Sequence, residues 1–135
     1  MADRLKLTVV SPERALVDAE ADEVQVPGLN GYFGIRPGHA ALFSELMIGR
    51  LSYTQGSRTE SLALAGGFVE VLDNQVRVLA TVAESPEDID PTRARDALGR
   101  AQALLKGDAD ETDYDRALRA ERRAQSRIEV AEGSD

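Results

Sequence analysis

The chain of 135 residues contains no cysteine and no tryptophan, and only one histidine. Without cysteine there are no disulfide staples, thiolate nucleophiles or zinc ribbons, and a single histidine leaves no Cys–His or dihistidine pair. The composition fits a reducing compartment. Positive charge is also in deficit: 16 basic against 24 acidic residues give a net charge of −8. Nucleic-acid binding needs a concentrated positive surface, which this balance opposes. No apolar run approaches the ~18 residues of a membrane span. The opening MADRLKLTVV is charged early and alternates, unlike a secretory signal. These absences predict a soluble, intracellular, acidic protein that meets a membrane only through a partner. Its 42% hydrophobic content suffices for a modest core.

The composition changes near Ser85-Pro86. Eight of the eleven glycines and all three phenylalanines precede it. There, apolar residues alternate in short runs: Leu5, Leu7, Val9; Ala15, Val17; Val24, Val26; Ile48, then Leu51 and Tyr53 after a slip; Leu62, Leu64; Val76, Val78, Ala80, Val82. Pro27-Gly28, Asn30-Gly31, Gln55-Gly56 and Asp73-Asn74 mark turns. Such strands predict a flattened antiparallel β-sandwich or barrel. Gly66-Gly67 inside a strand pattern predicts a bulge or a close backbone approach.

The second part predicts two helices. Asp90-Pro91 combines an N-cap aspartate with proline at the first helical position. Ala94, Ala97, Leu98, Ala101, Leu104 and Leu105 form an apolar stripe, and Lys106-Gly107 ends it. After an acidic loop from Asp108 to Asp113, Thr112 and Asp115 resemble a capping box. A second stripe runs Tyr114, Ala117, Leu118, Ala124, Ile128. The expectation is an antiparallel two-helix hairpin whose alanine-rich seam closes with little free energy to spare. Residues 1–86 and 87–135 are the expected domains.

Few motifs carry chemistry. Read as a calcium loop, the acidic loop puts Asp113 and Arg119 where glycine and glutamate are required. No GxxxxGK[ST] phosphate loop is present. His39 lacks a catalytic partner, and Glu84, Glu87, Asp88 and Asp90 suit a helix N-terminus. The arginines say more. Arg93 and Arg100 share one helix face, as do Arg123 and Arg127, and an antiparallel hairpin brings the pairs level. Either each pairs locally with Asp96, Glu121 or Glu129 on a solvated face, or the four converge on a polyanion.

Nearly the whole chain resembles the epsilon subunit of bacterial and chloroplast F-type ATP synthases. The segments that carry the likeness are Leu7–Gly28, GYFGIRPGHAALF (Gly31–Phe43), LAGGFVEVLDNQVRVLA (Leu64–Ala80) and RRAQSRIEVAE (Arg122–Glu132). The resemblance implies a non-catalytic rotor subunit whose sandwich joins the gamma subunit to the c-ring, the active sites lying on other chains. The ring-facing residues would be Leu29, Asn30, Gly31 and Tyr32, with Leu42 nearby. The helices would regulate hydrolysis, extending toward the alpha and beta subunits or folding down on the sandwich. Arg116, Arg119, Arg122 and Arg123 would then meet an acidic segment of beta. The family's ATP motif reads IDPTRA here, implying ATP contacts at Glu84, Ile89, Asp90, Arg93, Ala94, Arg100, Arg123 and Arg127. ATP would be a regulatory ligand, with no obligatory cofactor. The resemblance also implies a peripheral protein on the cytoplasmic face of a bacterial membrane, or on the stromal side of a thylakoid. A stand-alone ATP-binding sensor is the rival reading.

Overall fold

The computed structural model describes residues 3–107 and 111–133. The alternating runs become strands β1 (Leu5–Val10), β2 (Ala15–Ala21), β3 (Glu23–Gly28), β4 (Gly31–Ile35), β5 (Leu42–Gln55), β6 (Arg58–Leu72), β7 (Gln75–Ala80) and β8 (Ala83–Glu84). They form one sheet in the order β2-β1-β7-β6-β5-β3-β4, with β8 paired to β6. The two long strands make the sandwich. The outer half of β6, Gly67–Leu72, pairs with β7, whereas Ala63 and Leu64 pair with β8. The sheet thus folds over along β5 and β6, and Leu5, Leu7, Val24, Ile35, Leu51 and Val69 meet inside with no exposure.

One pairing departs from the all-antiparallel expectation. β1 and β7 run parallel, Leu7 opposite Val76 and Val9 opposite Val78. Alternation reports which face is buried and is blind to strand direction, so a parallel neighbour leaves no trace in the pattern. The Gly66-Gly67 expectation holds as a close approach. Gly67 has φ +139°, and a Cβ there would lie 2.4 Å from the Leu79 carbonyl oxygen. The slip between Ile48 and Leu51 falls where the β3–β5 ladder loses register, between Gln25 and Gly28.

A single 3₁₀ turn, Pro86–Asp88, links the sandwich to helices α1 (Pro91–Lys106) and α2 (Glu111–Glu132). Asp90 caps α1 as expected, accepting from the Thr92 and Arg93 N–H groups at 3.0 and 3.2 Å. The helices close on an alanine seam of Ala94, Ala101, Ala117 and Ala124, each buried to 2% exposure or less. The seam stops short of the hairpin tip: Leu104 is 55% and Tyr114 47% exposed, although both were expected in the stripes. α2 starts at Glu111, so Thr112 stands inside its first turn and not at the cap. Residues 108–110 of the acidic loop lie outside the described residues.

The hairpin folds down onto the sandwich through α2. Their shared core is small, with Ala63 of β6, Ile89 of the linker and Val130 of α2 buried together apart from the main cluster. Polar ties surround it. Arg14 in the β1–β2 turn pairs with Asp88, whose carboxylate also accepts from the Ser85 N–H and hydroxyl. Arg95 on α1 pairs with Glu132 at the end of α2.

Candidate functional site

Between sandwich and hairpin lies a cleft of about 330 Å³, at the small end of the range for small-molecule sites. β6 contributes Ala63, Leu64 and Ala65, α1 contributes Ala97, and α2 contributes Ala120 and Ala124. Alanines on all three walls leave the space open, since larger side chains would fill it. The polar lining is Glu84, Arg123, Ser126 and Arg127. This combination of an apolar slot with guanidinium groups at its edge suits a flat heterocycle carrying phosphates.

Arg127 and Glu84 are the half-buried charges of the cleft, with side chains 28% and 26% exposed. Arg127 Nη2 donates to Glu84 Oε2 at 3.2 Å. Its Nε lies 2.9 Å from Oε1, close enough for charge attraction. The Nε–H does not point at that oxygen, however, and has no hydrogen-bond acceptor. Glu84 therefore holds the guanidinium in position without using its full donor capacity.

The residues of the IDPTRA motif divide by role. Ile89 is buried in the linker core, Ala94 is buried in the helix seam, and Asp90 spends its carboxylate on the N-cap. Arg93 is exposed and makes no ion pair among the described residues. Arg93 and Arg100 do not line the cleft, but they lie one turn before and one turn after Ala97, which does. Arg123 lines it directly. None of these four arginines pairs with Asp96, Glu121 or Glu129 among the described residues. Arg93, Arg100 and Arg123 lie on an exposed face, as the first of the two sequence readings has it, while Arg127 is half-buried against Glu84. Sequence reasoning missed Ser126 and Val130, which lie on a second face of α2 that rests on the sheet; their four-residue spacing was the available signal.

Arg116, Arg119, Arg122 and Arg123 are all exposed on α2 and without ion pairs among the described residues. Leu29 and Asn30 form the exposed two-residue turn between β3 and β4, closed by the Gly28–Gly31 pair. The Tyr32 ring is exposed, but its hydroxyl turns back to β5 and accepts from the Arg50 N–H at 2.9 Å. Leu42 packs against the main core, half-buried. On the sandwich's outer face, Phe43 and Phe68 stack with centroids 5.5 Å apart beside exposed Leu79.

Two family models cover this architecture end to end. Residues 4–86 match the β-sandwich domain of the ATP synthase delta/epsilon chain, and residues 87–133 match its long α-helix domain. The chain belongs to the ATP synthase delta/epsilon family. An ATP synthase epsilon chain of Solibacter usitatus is 46% identical over 132 residues, 98% of each chain. One from Koribacter versatilis is 49% identical over 106 residues, 78% of this chain and 75% of its own. Among solved structures, a chain in the Euglena gracilis mitochondrial ATP synthase, described as OSCP/F1/c-ring, superposes with a TM-score of 0.80 at 23% identity. That match covers 95% of this chain and 81% of the other, and it speaks to the fold. No helix among the described residues is long and apolar enough to cross a membrane.

Proposed function

We propose that the chain is a non-catalytic central-stalk subunit of a proton-translocating F-type ATP synthase, whose active sites lie on other chains. In this reading residues 1–86 couple the gamma subunit to the c-ring, and residues 87–135 regulate hydrolysis by sensing ATP. Family membership across both parts supports the stalk role. The observation that carries the sensing role is the cleft at the seam between the parts, where Arg123 and Arg127 stand beside Glu84. ATP bound there would bridge hairpin and sandwich, its adenosine near Glu84, Ile89 and Asp90. Its phosphates would draw Arg93, Arg100, Arg123 and Arg127 together. With ATP absent, like charges and a thin seam favour release, and Arg116, Arg119, Arg122 and Arg123 are free to meet an acidic surface on the beta subunit.

The sandwich offers two surfaces for its partners. The turn at Leu29, Asn30 and Gly31 fits the c-ring, with Tyr32 at its base and Leu42 bracing from the core. The stacked Phe43 and Phe68, with Leu79, fit gamma, because a lasting subunit interface is apolar at its centre. The protein then sits at the cytoplasmic face of the membrane, held there by the complex. The test is mixing with the cognate gamma subunit and sizing the product. A one-to-one complex, weakened at least tenfold by Phe43→Asp, is expected. A chain that stays monomeric beside gamma would overturn the stalk role and leave a stand-alone ATP sensor.

A further inference from the structure

α2 crosses the sheet along one row of paired residues. Arg50 of β5 lies opposite Ala63 of β6, and Ala63 lies opposite Glu84 of β8. A single turn of the helix meets all three strands there. Ser126 donates its hydroxyl to the carbonyl of Gly49, next to Arg50 on β5, at 2.8 Å. Val130 shares the small core with Ala63. Arg127 reaches Glu84, Nη2 to Oε2 at 3.2 Å. At about 100° per residue, Val130 stands about 40° around the helix from Ser126 and Arg127 about 100°, the same order as the strands. The two polar contacts therefore lie on opposite flanks of the apolar one. Arg123, one turn earlier, stands on the Arg127 flank and lines the cleft with it. Ser126 is the one buried polar residue among the described residues, at 5% exposure. An alanine would fill nearly the same space without the cost of desolvating a hydroxyl. What the hydroxyl adds is direction.

We propose that Ser126 is a positioning residue for the cleft: its bond to Gly49 fixes the roll of α2 on the sheet, and so holds Arg127 against Glu84 and Arg123 at the cleft wall. Gly49 is a firm reference, because β5 pairs with β6 through it, Gly49 opposite Leu64. The other contacts of α2 set its angle less sharply. Its seam with α1 is made of alanines, whose short side chains interlock little, and Val130 is an apolar contact without a preferred direction. A roll about the Val130 contact carries Ser126 off the Gly49 carbonyl as it swings Arg127 off Glu84. The hydroxyl opposes that roll in both senses, since a hydrogen bond weakens steeply away from its best distance and angle. A buried polar group of this kind selects one seating among several of similar burial. The inference rests on the ATP reading of the cleft only for its effect on binding; the positioning is independent of nucleotide.

The test is a double-mutant cycle on the full chain without nucleotide, with trypsin cleavage of the hairpin reporting the open population. Glu84→Gln removes the charge that Arg127 contacts and should speed cleavage about fivefold in the wild-type background. In Ser126→Ala, where Arg127 no longer rests on Glu84, the same change should add less than about twofold. Two effects that simply multiply would make Ser126 a structural contact alone and overturn the proposal. Ser126→Thr and Ser126→Val then compare near-equal shapes that differ in the donor. The threonine background should keep the response to Glu84→Gln and the valine background should lose it; equal responses in the two overturn the proposal. Titration with ATP gives the consequence at the cleft. Ser126→Ala should weaken binding about tenfold, beyond any change in its docked fraction. A loss no larger than that fraction also overturns the proposal. If the wild-type chain binds no ATP, the nucleotide reading fails and the cycle still decides the positioning.

Discussion

Replacing Ile89 with alanine tests how the hairpin is attached. Ile89 is 6% exposed and, among the described residues, shares its small core with buried Ala63 and Val130 and part-buried Ala131. The substitution removes three carbons, which at about 0.8 kcal/mol each amounts to roughly 2.4 kcal/mol of lost burial. That lies near the low end of the about 2–5 kcal/mol range for such truncations, because the small site around Ile89 can collapse onto the hole. The main sandwich cluster does not include Ile89, so the loss falls on docking. A docked population should fall about 50-fold relative to the released one, since about 1.4 kcal/mol is a factor of ten. The released hairpin has an alanine seam and no large core of its own, so trypsin should reach its arginines. Timed proteolysis of the full chain is the assay, because cleavage tracks the open population when opening is fast. Ile89→Ala should be cut in the hairpin tens of times faster, leaving a resistant sandwich fragment. Leu104→Ala, at a site 55% exposed, should match wild type. Hairpin and sandwich digested together, or Ile89→Ala cut at the wild-type rate, would refute the separate attachment.

Other consequences are open to measurement. Gly67→Ala should cost the sandwich more than about 2 kcal/mol in urea unfolding, because its Cβ would meet the Leu79 carbonyl at 2.4 Å. Gly56→Ala, at φ +63° with open space around it, should cost about 1 kcal/mol. The Arg14 guanidinium, and then the Ser85 N–H, hold the Asp88 carboxyl below its usual range. A depressed carboxylate contributes stability above its unfolded pKa and loses it as pH falls through the folded value. The linker should therefore loosen below about pH 4, and Asp88→Asn should flatten that part of the acid limb in proteolysis measured against pH.

The legible parts of the fold were those written in periodicity and local stereochemistry. Asp90 at the cap, the alanine seam and the Gly66-Gly67 approach each follow from one short stretch of chain. The β1–β7 pairing did not show, because parallel and antiparallel neighbours bury the same alternate residues. Leu104 and Tyr114 continue their stripes on paper but outrun the contact between the helices. Ser126 and Val130 fall outside a single-stripe pattern because α2 buries two faces, one toward α1 and one toward the sheet. At the cleft, spacing alone grouped Arg93, Arg100, Arg123 and Arg127. The structure brings Arg123 and Arg127 to its wall and sets the other two on the Ala97 stripe beside it. Neither the Glu84 contact to Arg127 nor the Tyr32 contact to Arg50 could be read in advance, since both depend on how distant strands and helices meet.

Calorimetric titration of the full chain with ATP addresses the central claim most directly. The account predicts saturable binding of one ATP per chain, lost in Arg127→Ala and weakened in Arg93→Ala while Arg119→Ala binds as wild type. Heats no larger than dilution at millimolar ATP, or binding that survives Arg127→Ala unchanged, would contradict it.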